Sequence, residues 1–186
     1  VLKQSLDMSN GELTTSMKMR FGSDSYLDVN VLQFASRTVP CLIAQEIRLK
    51  TDREVTLRIN TKIDEENIRV NEFKTRTRDT TGGWYSLDLI DNVRALQSDR
   101  CRLGIAQIIP RGNDITQKGI SRYEMKLKPG IERSFQMVSS VVADIYHFEP
   151  HLEAIRLARW GDMVGYDRLK LHNRSAWDEL WKSRIK

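Results

Sequence analysis

For its first 147 residues this chain offers strand-like segments in succession, with no run long enough to place a helix between them. Residues 4–8 and 12–19 flank Ser9-Asn10-Gly11, and Asn-Gly between extended runs is a hairpin signal, because the turn needs backbone with positive φ. Residues 26–36 (YLDVNVLQFAS) open with Leu27, Val29 and Val31 on one face, the alternation of a half-buried strand. Residues 40–49 and 54–61 come next, separated by Thr51-Asp52-Arg53, and the second alternates Val55, Leu57 and Ile59. Further strands are expected at 68–78, 84–89, 100–109, 121–127 and 131–143, with turns at Gly82-Gly83, Gly112-Asn113 and Pro129-Gly130. Parallel neighbours need a crossover of a dozen or more residues, usually helical. Without room for crossovers the strands must be mostly antiparallel, and a large antiparallel β-sandwich buries so many half-apolar strands.

The pattern changes at Phe148-Glu149-Pro150. Proline suits the first turn of a helix, where its missing N–H costs nothing. Residues 151–159 space Leu152, Ile155 and Ala158 helically, and Gly161 is expected to end that helix. A second helix is expected from Tyr166 to Arg184, its stripe of Tyr166, Leu169, Ala176, Trp177, Leu180 and Trp181 broken at Asn173. The organisation expected is a sandwich over 1–147 and a two-helix segment over 148–186.

At 186 residues the chain can bury a core of its own, and its 40% hydrophobic and 30% charged residues are those of an ordinary globular domain. The apolar runs are too short for a membrane-spanning helix. A net charge of +5 divides into eight Lys/Arg against five Asp/Glu over 151–186 and 22 against 20 before it. With acidic residues interleaved throughout there is no basic stripe, and nucleic acid is not an expected partner. Cys41 and Cys101 are compatible with two buried thiols or one disulfide. The chain opens VLKQSLDM, without an initiator Met and in strand-like sequence, so an excerpt or processed product is the expectation.

Motifs for chemistry are sparse. His147 and His151 stand four apart, but Phe148-Glu149-Pro150 interrupts any continuous helix between them, and His172 is remote, so no metal site is expected. No phosphate-binding glycine loop or nucleophile elbow is present. Asp64-Glu65-Glu66 reads as a solvated turn, whereas acid catalysis needs a carboxyl shielded from water. Asp79-Thr80-Thr81-Gly82-Gly83-Trp84-Tyr85 is the best surface candidate: Trp84 and Tyr85 are suited to stacking on a sugar ring, or else to starting a core strand. Asn173-Arg174-Ser175 matches an N-glycosylation acceptor but falls inside the expected helix. In SAWDELWKSR, Trp177 and Trp181 share one helix face with Leu180 beside them. Aromatics of that size cover about 150–250 Å² each, more area than a helix end leaves in water cheaply.

Several stretches together resemble glycoside hydrolase family 65. Ala158-Arg159-Trp160-Gly161, Gly165-Tyr166-Asp167-Arg168-Leu169, His172 and Ala176-Trp177-Asp178-Glu179-Leu180-Trp181 are similar to the helical linker of that family. Leu6-Asp7-Met8-Ser9-Asn10-Gly11-Glu12-Leu13-Thr14-Thr15 is similar to its L-D-M-x-x-G-x-L-T-T hairpin, and Phe34-Ala35-Ser36-Arg37-Thr38-Val39-Pro40 to its F-x-S-R segment. The resemblance implies a galactose mutarotase-like supersandwich followed by a linker to an (α/α)6 catalytic barrel. It implies inverting α-glucoside hydrolases or phosphorylases acting on trehalose, maltose, kojibiose or nigerose. Inversion needs a general acid and, across a gap of about 6.5–9.5 Å, a group activating water; in the phosphorylases inorganic phosphate attacks instead. In the family these groups lie in the barrel, so no catalytic residue is carried onto this chain and no cofactor is expected.

The leading expectation is therefore a non-catalytic N-terminal domain whose full-length protein hydrolyses a disaccharide such as trehalose or kojibiose. Its partners would be the barrel of the same polypeptide, against which Trp177, Leu180 and Trp181 would wedge, the α-glucoside substrate, and in a dimer a second copy. A phosphorylase of the same family, with phosphate as co-substrate, is the nearest alternative; a free-standing carbohydrate-binding or interaction sandwich is the other. A hydrolase would suit the periplasm or secretion and a phosphorylase the cytoplasm.

Overall fold

Alternation in the sequence becomes two antiparallel sheets in the computed structural model, which describes residues 2–22, 24–61, 71–72, 92–97, 102–109, 115–119 and 122–184. The strands are β1 (Leu2–Asp7), β2 (Glu12–Phe21), β3 (Ser25–Ala35), β4 (Leu42–Thr51), β5 (Val55–Asn60), β6 (Asn71–Glu72), β7 (Asn92–Gln97), β8 (Arg102–Ile108), β9 (Ile115–Gly119), β10 (Arg122–Leu127) and β11 (Arg133–Ala143). The larger sheet has the order β1-β2-β3-β4-β11-β8-β7-β6 and the smaller β5-β10-β9. Each neighbouring pair is antiparallel.

Period two decides what each face of the larger sheet meets. Val29 lies opposite Leu49, and Ile47 opposite Phe135, so these side chains share one face. That face closes on Tyr123, Met125 and Leu127 of the smaller sheet, with Ile109 joining the core. The residues between them in sequence point the other way. Phe34, Leu42, Ala44 and Val138 pack on Tyr166 and Leu169, while Ala106, Ile108 and Val142 pack on Ala154, Ile155 and Ala158. The helices α1 (Pro150–Val164) and α2 (Tyr166–Arg184) thus form a third layer on the outer face of the larger sheet.

The expected spans at 4–8, 12–19, 26–36, 40–49, 54–61, 100–109, 121–127 and 131–143 correspond to β1–β5, β8, β10 and β11. Of 68–78 only Asn71–Glu72 is described, and 84–89 lies outside the described residues. Two strands fall where the sequence suggests connections. β7 (NVRALQ) mixes Arg94 among small and apolar residues, and β9 (ITQKG) is largely polar. Neither carries a clean alternation, and their pairing to β8 and β10 defines them as strands.

One helix boundary also needs correction. Gly161 does not end α1; it lies buried inside it. A Cβ there would stand 2.8 Å from Val138 Cγ1, so this glycine lets α1 approach β11. The helix runs on to Val164 and ends at Gly165, which has φ 84° and donates its N–H to the Gly161 carbonyl. Glycine is the right kind of signal, but the left-handed backbone that needs it lies four residues later. A second close approach occurs at Gly104 in β8, where the Pro150–His151 backbone rests directly on the Cα.

Candidate functional site

The most elaborate polar constellation of the described residues is where α2 crosses the turn between β1 and β2. Asp7 builds that turn. Its Oδ1 accepts from the Ser9 amide at 2.9 Å and the Ser9 hydroxyl at 2.6 Å, and its Oδ2 accepts from Asn10 Nδ2 at 2.8 Å. These hydrogen bonds hold the exposed Asp7 carboxyl below the usual carboxylate range. Gly11 comes next at φ 63°, the left-handed conformation the Asn-Gly signal requires.

Asn173 of α2, expected as a break in the apolar stripe, is instead completely buried on it. Its Nδ2 donates to the Asn10 carbonyl at 2.9 Å, and its Oδ1 accepts from the Arg37 amide at 3.0 Å. One side chain therefore satisfies backbone groups from two separate turns. The amide nitrogen of the Asn173-Arg174-Ser175 acceptor pattern is thus inside the fold. Next to it Arg174 donates to both oxygens of the buried Glu12, at 2.6 and 2.8 Å. The Glu12 carboxylate raises the Arg174 guanidinium above its ordinary range. Tyr166, the first residue of α2, has its phenol pushed well up by burial and then by the nearby Glu46 and Glu12 carboxylates.

The ion pair is asymmetric, since Glu12 is buried whereas the Arg174 side chain is 46% exposed. Removing the arginine strands a carboxylate inside; removing the carboxylate leaves an arginine that can turn to water. We expect Arg174→Ala to cost about 1–3 kcal/mol, and Glu12→Gln distinctly less, because the loss is dominated by the stranded buried partner. Urea denaturation of the two variants checks the order, and equal losses would contradict it.

The two tryptophans meet the same turn. Their rings stack with centroids 6.2 Å apart. Trp181 Nε1 donates to the Ser9 carbonyl at 3.1 Å, the Arg37 guanidinium lies 5.2 Å from the Trp177 ring centroid, and the Trp177 indole covers Gly11 so closely that a Cβ there would stand 2.6 Å from it. Trp177, Leu180 and Trp181 are all half-buried. Sequence spacing places the two indoles on one face, but it carries no signal that Ser9, Gly11 and Arg37 lie beneath them. Trp84 and Tyr85, with Asp64-Glu65-Glu66, Cys101 and the loop 79–85, lie outside the described residues.

This arrangement fastens α2 to the β1–β2 turn. Among the described residues the two buried carboxylates, Glu12 and Glu46, are each engaged by an arginine, Glu46 accepting from Arg48 at 2.9 Å. Among the described residues no three His, Cys, Asp or Glu side chains come close enough to hold a metal ion. His147 Nδ1 accepts from the Glu149 amide at 3.1 Å, and burial lowers the pKa of His151 at the start of α1. Cys41 is a free, half-buried thiol against the α1 cluster. No described helix is long and apolar enough to cross a membrane. An open groove of about 420 Å³ runs over β1–β4, lined by Lys3, Lys18, Asp28, Asn30, Lys50 and Glu132, charges of both signs.

The described residues thus form a two-sheet sandwich with two C-terminal helices fastened to the outer face of its larger sheet. Residues 2–180 match the family described as glycosyl hydrolase family 65, N-terminal domain, and the chain belongs to that family. It is 22% identical to a kojibiose hydrolase of Flavobacterium johnsoniae, in a match covering 98% of this chain and 28% of the relative. Among solved structures, "Putative kojibiose phosphorylase from human microbiome" shares the fold with a TM-score of 0.66 and 11% identity, over 97% of this chain and 25% of that one. The chain thus spans about a quarter of the length of each.

Proposed function

We propose that this domain is the non-catalytic N-terminal support of an inverting enzyme that hydrolyses an α-linked glucose disaccharide such as kojibiose or trehalose. The observation that carries the reading is the match to a kojibiose hydrolase across 98% of the chain but only 28% of the relative. In this reading residues 1–147 are the sandwich and 148–186 the linker, and bond cleavage belongs to a barrel elsewhere in the same polypeptide. Trp177, Leu180 and Trp181, half-buried with the indoles seated on the hairpin turn, keep an outer side for that barrel. The domain then acts mechanically, holding the linker rigid through Asn173 and the Glu12–Arg174 pair.

The test is the full-length protein assayed on kojibiose, trehalose and maltose, with and without phosphate. Glucose release independent of phosphate is the expected result. Release that requires phosphate and yields a glucose phosphate would replace the hydrolase with a phosphorylase, the activity in the name of the structural relative. No turnover of any of these sugars would overturn the enzymatic reading.

A further inference from the structure

Several large apolar side chains on α1 and in the segment before it face water rather than the sheet. Helix α1 turns Ala154, Ile155 and Ala158 toward the sheet. Its opposite side carries Leu152, Trp160 and Met163, with the exposed Arg156, paired to Glu153 at 2.6 Å, between them in the same outward sector. Met163 is 85% exposed. The segment leading into α1 adds Ile145, Tyr146 and Phe148, exposed at 78%, 73% and 79%.

The leading segment is fixed rather than loose. Arg102 donates from its amide to Asp144 Oδ2 at 3.1 Å and from Nη2 to the Phe148 carbonyl at 3.1 Å, and its guanidinium lies 5.4 Å from the Phe148 ring centroid. The Tyr146 amide donates to the Ala143 carbonyl at 3.0 Å. Ordered backbone that holds three large apolar side chains outward is preorganised for a partner, because the entropy of ordering has already been spent.

We propose that the strip formed by Ile145, Tyr146, Phe148, Leu152, Trp160 and Met163 is buried against the remainder of the same polypeptide, forming a contact separate from the Trp177/Trp181 pair. The inference rests on the reading of this chain as one domain of a longer enzyme. Relatives matched over 97–98% of this chain are about four times its length, so a large additional body of the same molecule is at hand. The strip adjoins the helices rather than the free edges of either sheet, so the contact is made by side chains and not by strand addition.

The experiment is thiol labelling of the full-length protein carrying Met163→Cys or, separately, Ile145→Cys, with Lys126→Cys on exposed β10 as control and the labelled sites read by peptide mass spectrometry. Under native conditions both strip positions should label roughly tenfold or more slower than the control, and all three alike in denaturant, because access then requires local opening. Labelling at the control rate would overturn the proposal. Protection that disappears on dilution would overturn it too, assigning the strip to a second copy. The readout is independent of activity: a protected strip in a protein that turns over no α-glucoside would remove the enzymatic reading and leave the contact standing.

Discussion

Gly104→Ala is expected to be among the most damaging single-methyl changes in this domain. A Cβ at position 104 would stand 2.2 Å from the Pro150 carbonyl carbon and oxygen and 2.3 Å from the His151 nitrogen. All three are backbone atoms at the start of α1, so no side-chain rotation relieves the clash. Either β8 bends away or the first turn of α1 lifts off Ala106 and Val142. Overpacking in a core typically costs 1–3 kcal/mol, and with only backbone to move we expect about 3 kcal/mol or more. Gly22→Ala is the matched control, since φ there is 63° and nothing lies within 4 Å of the added methyl. It should cost only the left-handed strain, about 1–2 kcal/mol. Urea unfolding followed by circular dichroism compares them; a Gly104→Ala loss no larger than that of Gly22→Ala would show that α1 does not rest on β8 as described.

Asn173 supplies the second large effect, and there the sign depends on pH. Asn173→Leu leaves the Asn10 carbonyl and the Arg37 amide without their partner inside the fold, at about 1–3 kcal/mol for each such group. Asn173→Asp preserves the acceptor for Arg37 but sets an oxygen against the Asn10 carbonyl. Burial and that carbonyl both disfavour the ionised form, so the introduced carboxyl has a higher pKa folded than unfolded. Its protonated form can donate to Asn10 as the amide did. Stability relative to the parent chain should therefore be best retained at acid pH, below the unfolded pKa, and lost as pH rises through the folded one. Thermal melts of Asn173→Asp and Asn173→Leu, each against the parent chain from pH 4 to pH 8, should show a growing deficit for the aspartate and a near-constant one for the leucine. A pH-independent aspartate deficit would mean that position 173 is not sealed from water.

Much of the fold was legible because its information is local. Val55, Leu57 and Ile59 alternate regardless of what they pack on, and Asn10-Gly11 demands left-handed backbone whichever strands it joins. Pro150 similarly marks the start of α1 wherever the helix goes. Where local information ran thin, at β7 and β9, strand identity came from backbone pairing that residue types do not encode. Gly161 shows the same limit from the other side. A glycine within a helical pattern serves equally as a stop or as a close-packing point, and only the presence of Val138 opposite decides between them.

The junction was less legible, for a related reason. Trp177 and Trp181 announced a face to be covered, and their spacing could say no more, since nothing in the sequence measures the distance from residue 177 to residue 11. Asn173 reads as a flaw in an apolar stripe because polarity alone marks a residue as outward. It is inward because two backbone groups, from turns far away in the chain, converge on its amide.

By itself, then, the sequence determined an antiparallel sandwich with two helices after it, because hydrophobic period and turn chemistry are properties of neighbours along the chain. Tertiary structure alone decided that those helices form a layer on the larger sheet, clamped through Asn173 and Glu12–Arg174. Those outcomes depend on groups more than a hundred residues apart meeting at hydrogen-bond distance, and such meetings exist only once the sheets have closed.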